Sequence, residues 1–266
     1  MGNAASAVTG PSELLRIERT GAVLTVGLNR PAKRNALNDG IILALGDCFS
    51  NLPEGIGAVV IHSTGDHFSS GLDLSELTEQ DATDGLRHSQ MWHRVFDRVQ
   101  YSRVPVIAAL RGAVIGGGLE LACAAHIRVA EPSAYFALPE GQRGIFVGGG
   151  GSVRLPRLIG VSRMTDMMLT GRVYSATEGA AYGFAQYLVA EGQALAKAME
   201  LAERIANNAP LTNFAVLQAL PMIAEANPQA GLLMESLMAT VAQSDKEAKR
   251  RIRAFLDRKT AKVKPT

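Results

Sequence analysis

The stretch GAVIGGGLELA at residues 112–122 contains the features that decide the fold. It follows a continuous apolar run at 104–110, which predicts a buried strand. Three glycines then start a helical pattern, and residues this small let a ligand approach the backbone closely. Because the first amide N–H groups of a helix have no partner within the helix, the turn at 116–118 is a candidate ligand site. Close packing between the helix and the sheet is the alternative explanation for the three glycines.

A second segment has the same arrangement. HFSSGLDL at residues 67–74 follows another apolar strand pattern at 58–61. Ligand sites of parallel sheets lie beyond the carboxyl ends of the strands, so both turns are expected at that end. One amide from each turn could then converge on a single oxygen that becomes negative during a reaction. Removing one such donor typically raises the barrier by about 2.7–4 kcal/mol.

Short apolar strands alternate with helical patterns in the first half of the chain. Paired strands are predicted at 14–18 and 23–28, and Asn38 can cap a helix that begins after it. The further predicted segments are strands at 58–61, 104–110 and 127–130 and a helix at 86–99. This alternation indicates parallel β-α units and therefore an α/β fold. From about Ser152 onward nearly every segment predicts helix, so we expect the strands to stop there.

The composition is typical of a globular protein. The 266 residues include 27 Lys and Arg against 25 Asp and Glu, a formal net charge of +2. This balance argues against a dedicated nucleic-acid binder, which would be visibly basic. The sequence has no uninterrupted apolar run of about 18 residues, so no membrane span is expected. Cys48 and Cys123 lie in apolar helical patterns and are interpreted as free thiols in a reducing, cytoplasmic setting.

Common cofactor and metal motifs are incomplete. Leu121 stands where a dinucleotide-binding fingerprint needs its third glycine. The glycine run 148–151 is not followed by the Lys-Ser/Thr pair of a P-loop. His88 and His93 do not have the i, i+4 spacing of a helical zinc site. We therefore expect neither a metal nor a redox cofactor.

Two glutamates are candidates for acid–base chemistry. Glu120 lies in the first turn of the helix that the triple glycine starts, where the helix dipole stabilises a negative charge. Glu140 follows a strand-like piece at 135–138. Each alone is explained as a capping or loop-end charge. Together they offer one carboxylate to hold water and one to transfer a proton.

Five motifs occur in the order that is typical of one enzyme family. They are LNRPAKRNALN at 28–38, FSSGLDL at 68–74, GGGLELA at 116–122, Pro139–Glu140, and the glycine run with SVRL at 148–155. On these motifs the chain resembles the crotonase superfamily, which is the enoyl-CoA hydratase/isomerase family. The resemblance covers roughly residues 12–258.

The resemblance implies a spiral of β-β-α turns in place of a flat sheet. This crotonase-like α/β core would occupy residues 1–200, and a C-terminal helical region would occupy residues 201–266. In family members that region mediates trimerisation, and trimers usually pair into hexamers. A homotrimer or hexamer is therefore expected.

The resemblance also implies roles for individual residues. The amides of Leu72 and Gly117 would form an oxyanion hole for the carbonyl of an acyl-CoA thioester. Glu120 would deprotonate a water that the Gly148 amide helps to hold, and Glu140 would protonate the substrate α-carbon. The reaction would be hydration of 2-enoyl-CoA to 3-hydroxyacyl-CoA, as in fatty acid metabolism, with coenzyme A entering only as part of the substrate. The residues expected to bind substrate are Lys33, Arg34, Ala36, Ser70, Asp73 and Leu74.

Three departures from the family pattern leave the reaction open. Arg143 stands where hydratases commonly have an apolar residue, and near Glu140 it would lower the pKa of that carboxyl. Val147 stands where Pro is common, and His126 replaces a frequent Asp. One alternative is an isomerase or another CoA-thioester enzyme, since an isomerase can work with Glu140 alone. Another is a non-catalytic CoA- or RNA-binding protein that uses the basic segment 246–253.

Overall fold

The computed structural model describes residues 6–7, 13–76 and 81–257. The chain divides into two compact units, one ending at Ala206 and the other starting at Asn207. The boundary expected from the sequence, after residue 200, falls inside the helix Ala194–Ala206.

The first unit contains two sheets. Its strands are β1 Ser6–Ala7, β2 Leu15–Thr20, β3 Val23–Leu28, β4 Ala58–Ser63, β5 Val106–Leu110, β6 Ala113–Ile115, β7 Ile127–Ala130, β8 Tyr135–Ala137, β9 Tyr174–Ser175 and β10 Tyr187–Leu188. The larger sheet has seven strands in the order β1-β2-β3-β4-β5-β7-β10, and the smaller has three in the order β6-β8-β9. The predicted hairpin is confirmed as the antiparallel pair β2 and β3, and β3, β4, β5, β7 and β10 then pair in parallel.

Successive turns of the chain repeat a β-β-α pattern. β5 leads through Gly112 into β6 of the smaller sheet and then into α3 (Gly117–Ala124). β7 leads into β8 in the same way, and α4 (Gly151–Ile159) follows. Gly112 has φ +52°, and a Cβ there would collide with the Asp66 carbonyl oxygen, so the corner requires glycine. The chain therefore forms the expected spiral and not one flat sheet.

The larger sheet is buried on both faces, which explains its continuous apolar strands. On one face its side chains pack with α1 (Asp39–Ser50) and α2 (Ala82–Gln100). On the other face they pack with α7 (Ala194–Ala206) through residues that include Ala198 and Leu201. The predicted cap of α1 is confirmed, because the Asn38 side chain accepts a hydrogen bond from the Ile41 amide at 3.1 Å.

The expectation that strands stop after Ser152 is wrong. β9 pairs antiparallel with β8, and β10 pairs in parallel with β7. Each of these strands has only two residues, which is too short to show an alternating pattern in the sequence. They join the helices α5 Val161–Thr170 and α6 Ala176–Tyr182 to the sheets.

The second unit is helical over the residues that the structure describes. Its helices are α8 Pro210–Phe214, a π-helical turn Ala215–Ala219, α9 Leu220–Glu225, α10 Pro228–Ser244 and α11 Lys246–Leu256. Asp245 caps α11, since its Oδ1 accepts from the Glu247 amide at 2.9 Å. Neither unit contains, within its described residues, a helix long and apolar enough to cross a bilayer.

Candidate active site

A cavity of about 380 Å³ lies in the first unit, where the turn 70–74, the start of α3, α2 and the loop 140–149 meet. Most of its wall is apolar, formed by side chains that include Leu72, Trp92 and Phe146. Glu120 and Glu140 both line it, although both are buried. The two turns and the two glutamates singled out in the sequence are therefore brought to one place.

The amides of Leu72 and Gly117 are neighbours at this cavity. A Cβ on Gly117 would lie 3.6 Å from the Leu72 nitrogen. The Leu37 amide donates to the Gly71 carbonyl, and the Asp73 amide donates to the Leu37 carbonyl, both at 2.8 Å. These two hydrogen bonds do not involve the Leu72 amide, which lies between them in the sequence. Among the described residues, no protein acceptor takes a hydrogen bond from the Leu72 or Gly117 amide.

Hydrogen bonds hold the turn at Leu72 in place. The Ser69 amide donates to the Ala113 carbonyl at 2.9 Å, and the Ile115 amide donates to the Ser69 carbonyl at 3.1 Å. The Ser69 hydroxyl donates to the Asn35 carbonyl at 2.8 Å. Gly71 has φ +89°, and a Cβ there would lie 2.8 Å from the Ile115 carbonyl oxygen. The turn is thus fixed against β6, immediately before α3 begins.

Glu120 is held by the glycine run that precedes α4. Its Oε1 accepts hydrogen bonds from the amides of Gly149 at 2.9 Å and Gly151 at 2.7 Å. Burial raises the pKa of Glu120 above its ordinary value. The Gly151 and Gly149 amides and the nearby Arg154 guanidinium oppose this rise, and the Gly148 amide opposes it most weakly. The loop therefore stabilises the ionised form of a deeply buried carboxylate.

Glu140 has a different environment. Its Oε1 lies close to Gly116, where a Cβ would be only 2.6 Å away, and its buried Oε2 has no hydrogen-bond partner among the described residues. Burial is the main cause that raises the pKa of Glu140 to about 7. Arg143 does lower this pKa, as expected from the sequence, but its contribution is the smallest of those that act, and burial outweighs it. A carboxyl with this pKa can give up and recover a proton near neutral pH.

A model of the enoyl-CoA hydratase/isomerase family matches residues 18–265. The chain belongs to this family. It is 34% identical to 2,3-dehydroadipyl-CoA hydratase of Escherichia coli, over 95% of this chain and 99% of that protein. It is 36% identical to an enoyl-CoA hydratase of Mycobacterium tuberculosis, over 81% of this chain and 82% of that protein.

Solved structures agree with this assignment. A structure described as a candidate enoyl-CoA hydratase from Rhodopseudomonas palustris superposes with a TM-score of 0.92 at 75% identity, covering 97% of this chain and all of that one. Enoyl-CoA hydratase from Bacillus anthracis superposes with a TM-score of 0.86 at 30% identity, covering 92% and 96%. The fold is therefore the crotonase fold, and the protein is an enzyme of the enoyl-CoA hydratase type.

The residues expected to bind substrate fall into two groups. Ser70 and Leu74 line the cavity. Lys33 and Arg34 are exposed on the adjoining turn, which the Ser70 amide joins by a 3.0 Å hydrogen bond to the Arg34 carbonyl. Ala36 is buried on the same turn.

Asp73 has a structural environment. Its carboxylate is buried, forms an ion pair with Arg30 at 3.0 Å and accepts hydrogen bonds from the Ser75 hydroxyl at 2.6 Å and the Ser75 amide at 3.1 Å. The Ser75 hydroxyl is the main cause that lowers the pKa of Asp73. The oxygens of the Asp73 side chain are therefore bound by groups of the protein itself.

Part of the cavity wall is formed by α2, a helix that contains none of the site residues predicted from the sequence. Trp92 is both buried and part of the cavity wall. His88 lines the cavity and its Nε2 lies 2.8 Å from Asp39 Oδ1. Ser89 donates to the Gly148 carbonyl at 2.7 Å, which fixes the loop that holds Glu120. The apolar periodicity of α2 identifies the side of the helix that packs in the core but does not show which of its turns borders a cavity.

Proposed function

We propose that the protein catalyses the hydration of 2-enoyl-CoA thioesters to 3-hydroxyacyl-CoA thioesters. The observation that carries this proposal is a pair of buried carboxylates with different environments beside two unpaired amides. Glu120 accepts two backbone hydrogen bonds, whereas the pKa of Glu140 is raised to about 7. Such a difference between two neighbouring acids suits one to act as base and the other as acid. The relatives that are named hydratases support the same reaction.

The thioester carbonyl oxygen would accept hydrogen bonds from the amides of Leu72 and Gly117. These donors stabilise the enolate oxygen that forms when a nucleophile adds to the β-carbon. Each donor of this kind contributes about 2.7–4 kcal/mol to lowering a barrier. Gly117 suits this position because a Cβ would lie 2.7 Å from the ring of Trp92, so only glycine allows the close packing observed.

The two acids would complete the reaction with a balanced transfer of protons. Glu120 takes a proton from water as the water oxygen bonds to the β-carbon, and the double-bond electrons move toward the thioester oxygen. The enolate then collapses as its α-carbon takes the proton of Glu140. A proton moves from Glu120 to Glu140 to restore the starting state, and one water has been added. The Gly148 amide, next to the Glu120 carboxylate, would help to place the water.

Loss of the conjugated-thioester absorbance measures this reaction. The expected result is turnover of 2-butenoyl-CoA by the wild-type protein and a loss of at least about 100-fold in kcat for Glu120→Gln and for Glu140→Gln, since general acid–base groups contribute about 10²–10⁴-fold. Far-ultraviolet circular dichroism controls for folding. Full activity in both variants would overturn the proposal.

An isomerase is the second candidate, because a single acid with a pKa near 7 and a free oxygen can shuttle a proton between two carbons. A 3-enoyl-CoA substrate separates the two reactions. Full conversion of a 3-enoyl-CoA to the 2-enoyl isomer by Glu120→Gln would favour the isomerase. Loss of both activities in that variant would favour hydration.

We propose that Lys33 and Arg34 contact the phosphates of CoA. Both side chains are exposed beside Ser70, at the edge of the cavity. The Lys33 ammonium already donates to the Ser75 hydroxyl at 3.1 Å, which directs it toward the turn 70–75. Solvent-exposed cations at such a position can bind phosphate without displacing a buried partner.

We also propose that the protein assembles as a homotrimer, or as a hexamer of two trimers, through its second unit. Helix α10 exposes a set of large apolar side chains over its length. They are Leu232, Leu233, Leu237 and Val241. Large exposed apolar patches commonly mark protein–protein interfaces. Light scattering should give three or six times the 28.2 kDa mass of one chain, and Leu233→Asp with Leu237→Asp should reduce it.

A further inference from the structure

Arg143 places a positive charge on the wall of the cavity. It ends the 3₁₀ turn Gly141–Arg143, three residues after Glu140, and its side chain is exposed. Among the residues that the structure describes, its guanidinium forms no hydrogen bond and no ion pair. An Arg guanidinium offers five donors in a planar fork that matches a carboxylate.

The other polar groups in this part of the cavity already have protein partners. Ser89 donates its hydroxyl to the Gly148 carbonyl, and His88 Nε2 contacts Asp39 at 2.8 Å. The side chains next to Arg143 along the loop, Ile145 to Val147, are apolar. Over the part of this wall that the structure describes, a ligand group would therefore meet apolar contacts and the positive charge of Arg143.

The proposed reaction fixes which part of a substrate reaches Arg143. In that reaction the thioester oxygen would lie at the amides of Leu72 and Gly117, and CoA would extend along the turn 70–74. The opposite wall of the cavity is formed by α2 and by residues 143–147, so an acyl chain that runs away from the turn 70–74 would pass toward Arg143.

We propose that Arg143 binds a carboxylate at the far end of the acyl group, so that the enzyme prefers 2-enoyl-CoA thioesters of dicarboxylic acids. This inference rests on the proposed function, because the hydration site sets the direction of the acyl chain. Among the described residues that line the cavity, the carboxylates are Glu120, which is held by the amides of Gly149 and Gly151, and Glu140, whose pKa of about 7 leaves it partly protonated at neutral pH. Neither forms an ion pair with Arg143, so its fork remains available to the substrate.

A matched pair of substrates tests the proposal. 5-Carboxy-2-pentenoyl-CoA and 2-hexenoyl-CoA have chains of similar length and differ in whether the chain ends in a carboxylate or a methyl group. We expect the wild-type kcat/KM to be at least about 10-fold higher for the carboxylated substrate, since hydrogen bonds to charged groups contribute about 1.5–3 kcal/mol. Arg143→Met should lose this preference, mainly through KM, and Arg143→Lys should keep part of it. The control Arg94→Met removes an exposed charge of α2 outside the cavity and should behave like the wild type.

Two results would overturn the proposal. Equal losses of kcat/KM on both substrates in Arg143→Met would show that Arg143 acts on CoA or on the fold. Equal wild-type kcat/KM values for the two substrates would show that the enzyme does not recognise the far end of the acyl chain.

Binding of saturated thioesters separates this inference from the proposed reaction. Trp92 is the one tryptophan of the chain and lines the cavity, so its fluorescence reports binding of adipyl-CoA and hexanoyl-CoA. Tighter binding of adipyl-CoA that Arg143→Met abolishes would support the inference even if no hydration were observed. Equal affinity for the two thioesters would overturn it even if hydration occurred.

Discussion

Arg154 is hydrogen-bonded to Gly149, whose amide binds Glu120. Its Nη1 donates to the Gly149 carbonyl at 2.9 Å, and the Gly149 amide donates to Glu120 Oε1 at the same distance. The guanidinium is buried and is fixed from α2 by Asp97 Oδ1 at 2.6 Å and Gln100 Oε1 at 2.5 Å. The buried charge of Arg154, which does not line the cavity, thus supports and stabilises the ionised form of Glu120.

Arg154→Met should weaken the base. We expect kcat/KM to fall by about 10- to 100-fold, which corresponds to losing one charge-assisted hydrogen bond of about 1.5–3 kcal/mol. Because Arg154 lowers the pKa of Glu120, its removal raises that pKa, and the acidic limb of the pH profile should move to higher pH.

Asp97→Asn is the matched control for this prediction. The Asp97 carboxylate is about half exposed, and its loss leaves the bond between Arg154 and Gly149 intact. Asparagine keeps an oxygen that can accept from Arg154, and Gln100 and Gly149 still bind the guanidinium, so kcat/KM should change less than about 3-fold. An unchanged acidic limb in Arg154→Met would contradict the role assigned to Arg154.

Glu140→Gln should stabilise the protein at high pH while it abolishes turnover. The carboxyl has a pKa of about 4.3 in an unfolded chain and about 7 in the folded protein. The folded state therefore binds the proton more tightly, and wild-type stability falls as the pH rises between these values. Glutamine avoids the burial of an ionised group. The free energy of unfolding of the Glu140→Gln variant at pH 8 should therefore exceed that of the wild type by up to roughly 3 kcal/mol.

Urea unfolding at pH 4 and pH 8 measures this difference, which should be near zero at the lower pH. Glu131→Gln provides a control of opposite sign. Glu131 is also buried, but it forms an ion pair with Arg111 at 3.3 Å, and breaking that pair should destabilise the protein at pH 8. A Glu140→Gln variant that is less stable than the wild type at pH 8 would refute the assigned environment.

Gly116→Ala should separate the placement of Glu140 from backbone strain. Gly116 has φ +51°, and its added Cβ would lie 2.6 Å from Glu140 Oε1, so the carboxylate must move. Gly21 has a similar φ of +59° and open space around it. Both substitutions place a Cβ at a positive φ and should cost stability, and Gly116→Ala should cost more because its ψ of −125° lies outside the αL region. Only Gly116→Ala should lose kcat. Equal kcat values in the two variants would show that the position of Glu140 does not matter.

Asp73→Asn should affect stability more than chemistry. The substitution breaks a buried ion pair with Arg30 and should lower the free energy of unfolding by about 3 kcal/mol. The folded variant should keep kcat within about 3-fold, because the side chain does not line the cavity. Lys33→Met should do the reverse, with unchanged stability and a higher KM for CoA thioesters. A large loss of kcat with intact stability in Asp73→Asn would contradict this division.

The sequence alone predicts the parts of this molecule that depend on local pattern. The apolar runs predict the strands of the larger sheet, and the glycine turns with Glu120 and Glu140 predict residues that do meet at one cavity. The two-residue strands β9 and β10 are not predicted, because they are defined by their pairing with β8 and β7 and not by a pattern of apolar residues.

Other features depend on contacts between residues far apart in the sequence. The ion pair of Asp73 with Arg30 spans 43 positions, and the bond of Ser89 to Gly148 spans 59. No periodicity or short motif reports such pairs. The direction of the pKa shift of Glu140 also depends on such distant contacts. The sequence shows that Arg143 is nearby, but it does not show the burial that outweighs the effect of Arg143.

A crystal structure with a bound, unreactive acyl-CoA thioester would show directly whether the two amides and the two glutamates surround the reacting carbons. We expect the thioester oxygen within hydrogen-bond distance of the amides of both Leu72 and Gly117, with a water between Glu120 and the β-carbon and Glu140 facing the α-carbon. A thioester oxygen placed away from either amide, or a β-carbon out of reach of Glu120, would contradict this expectation.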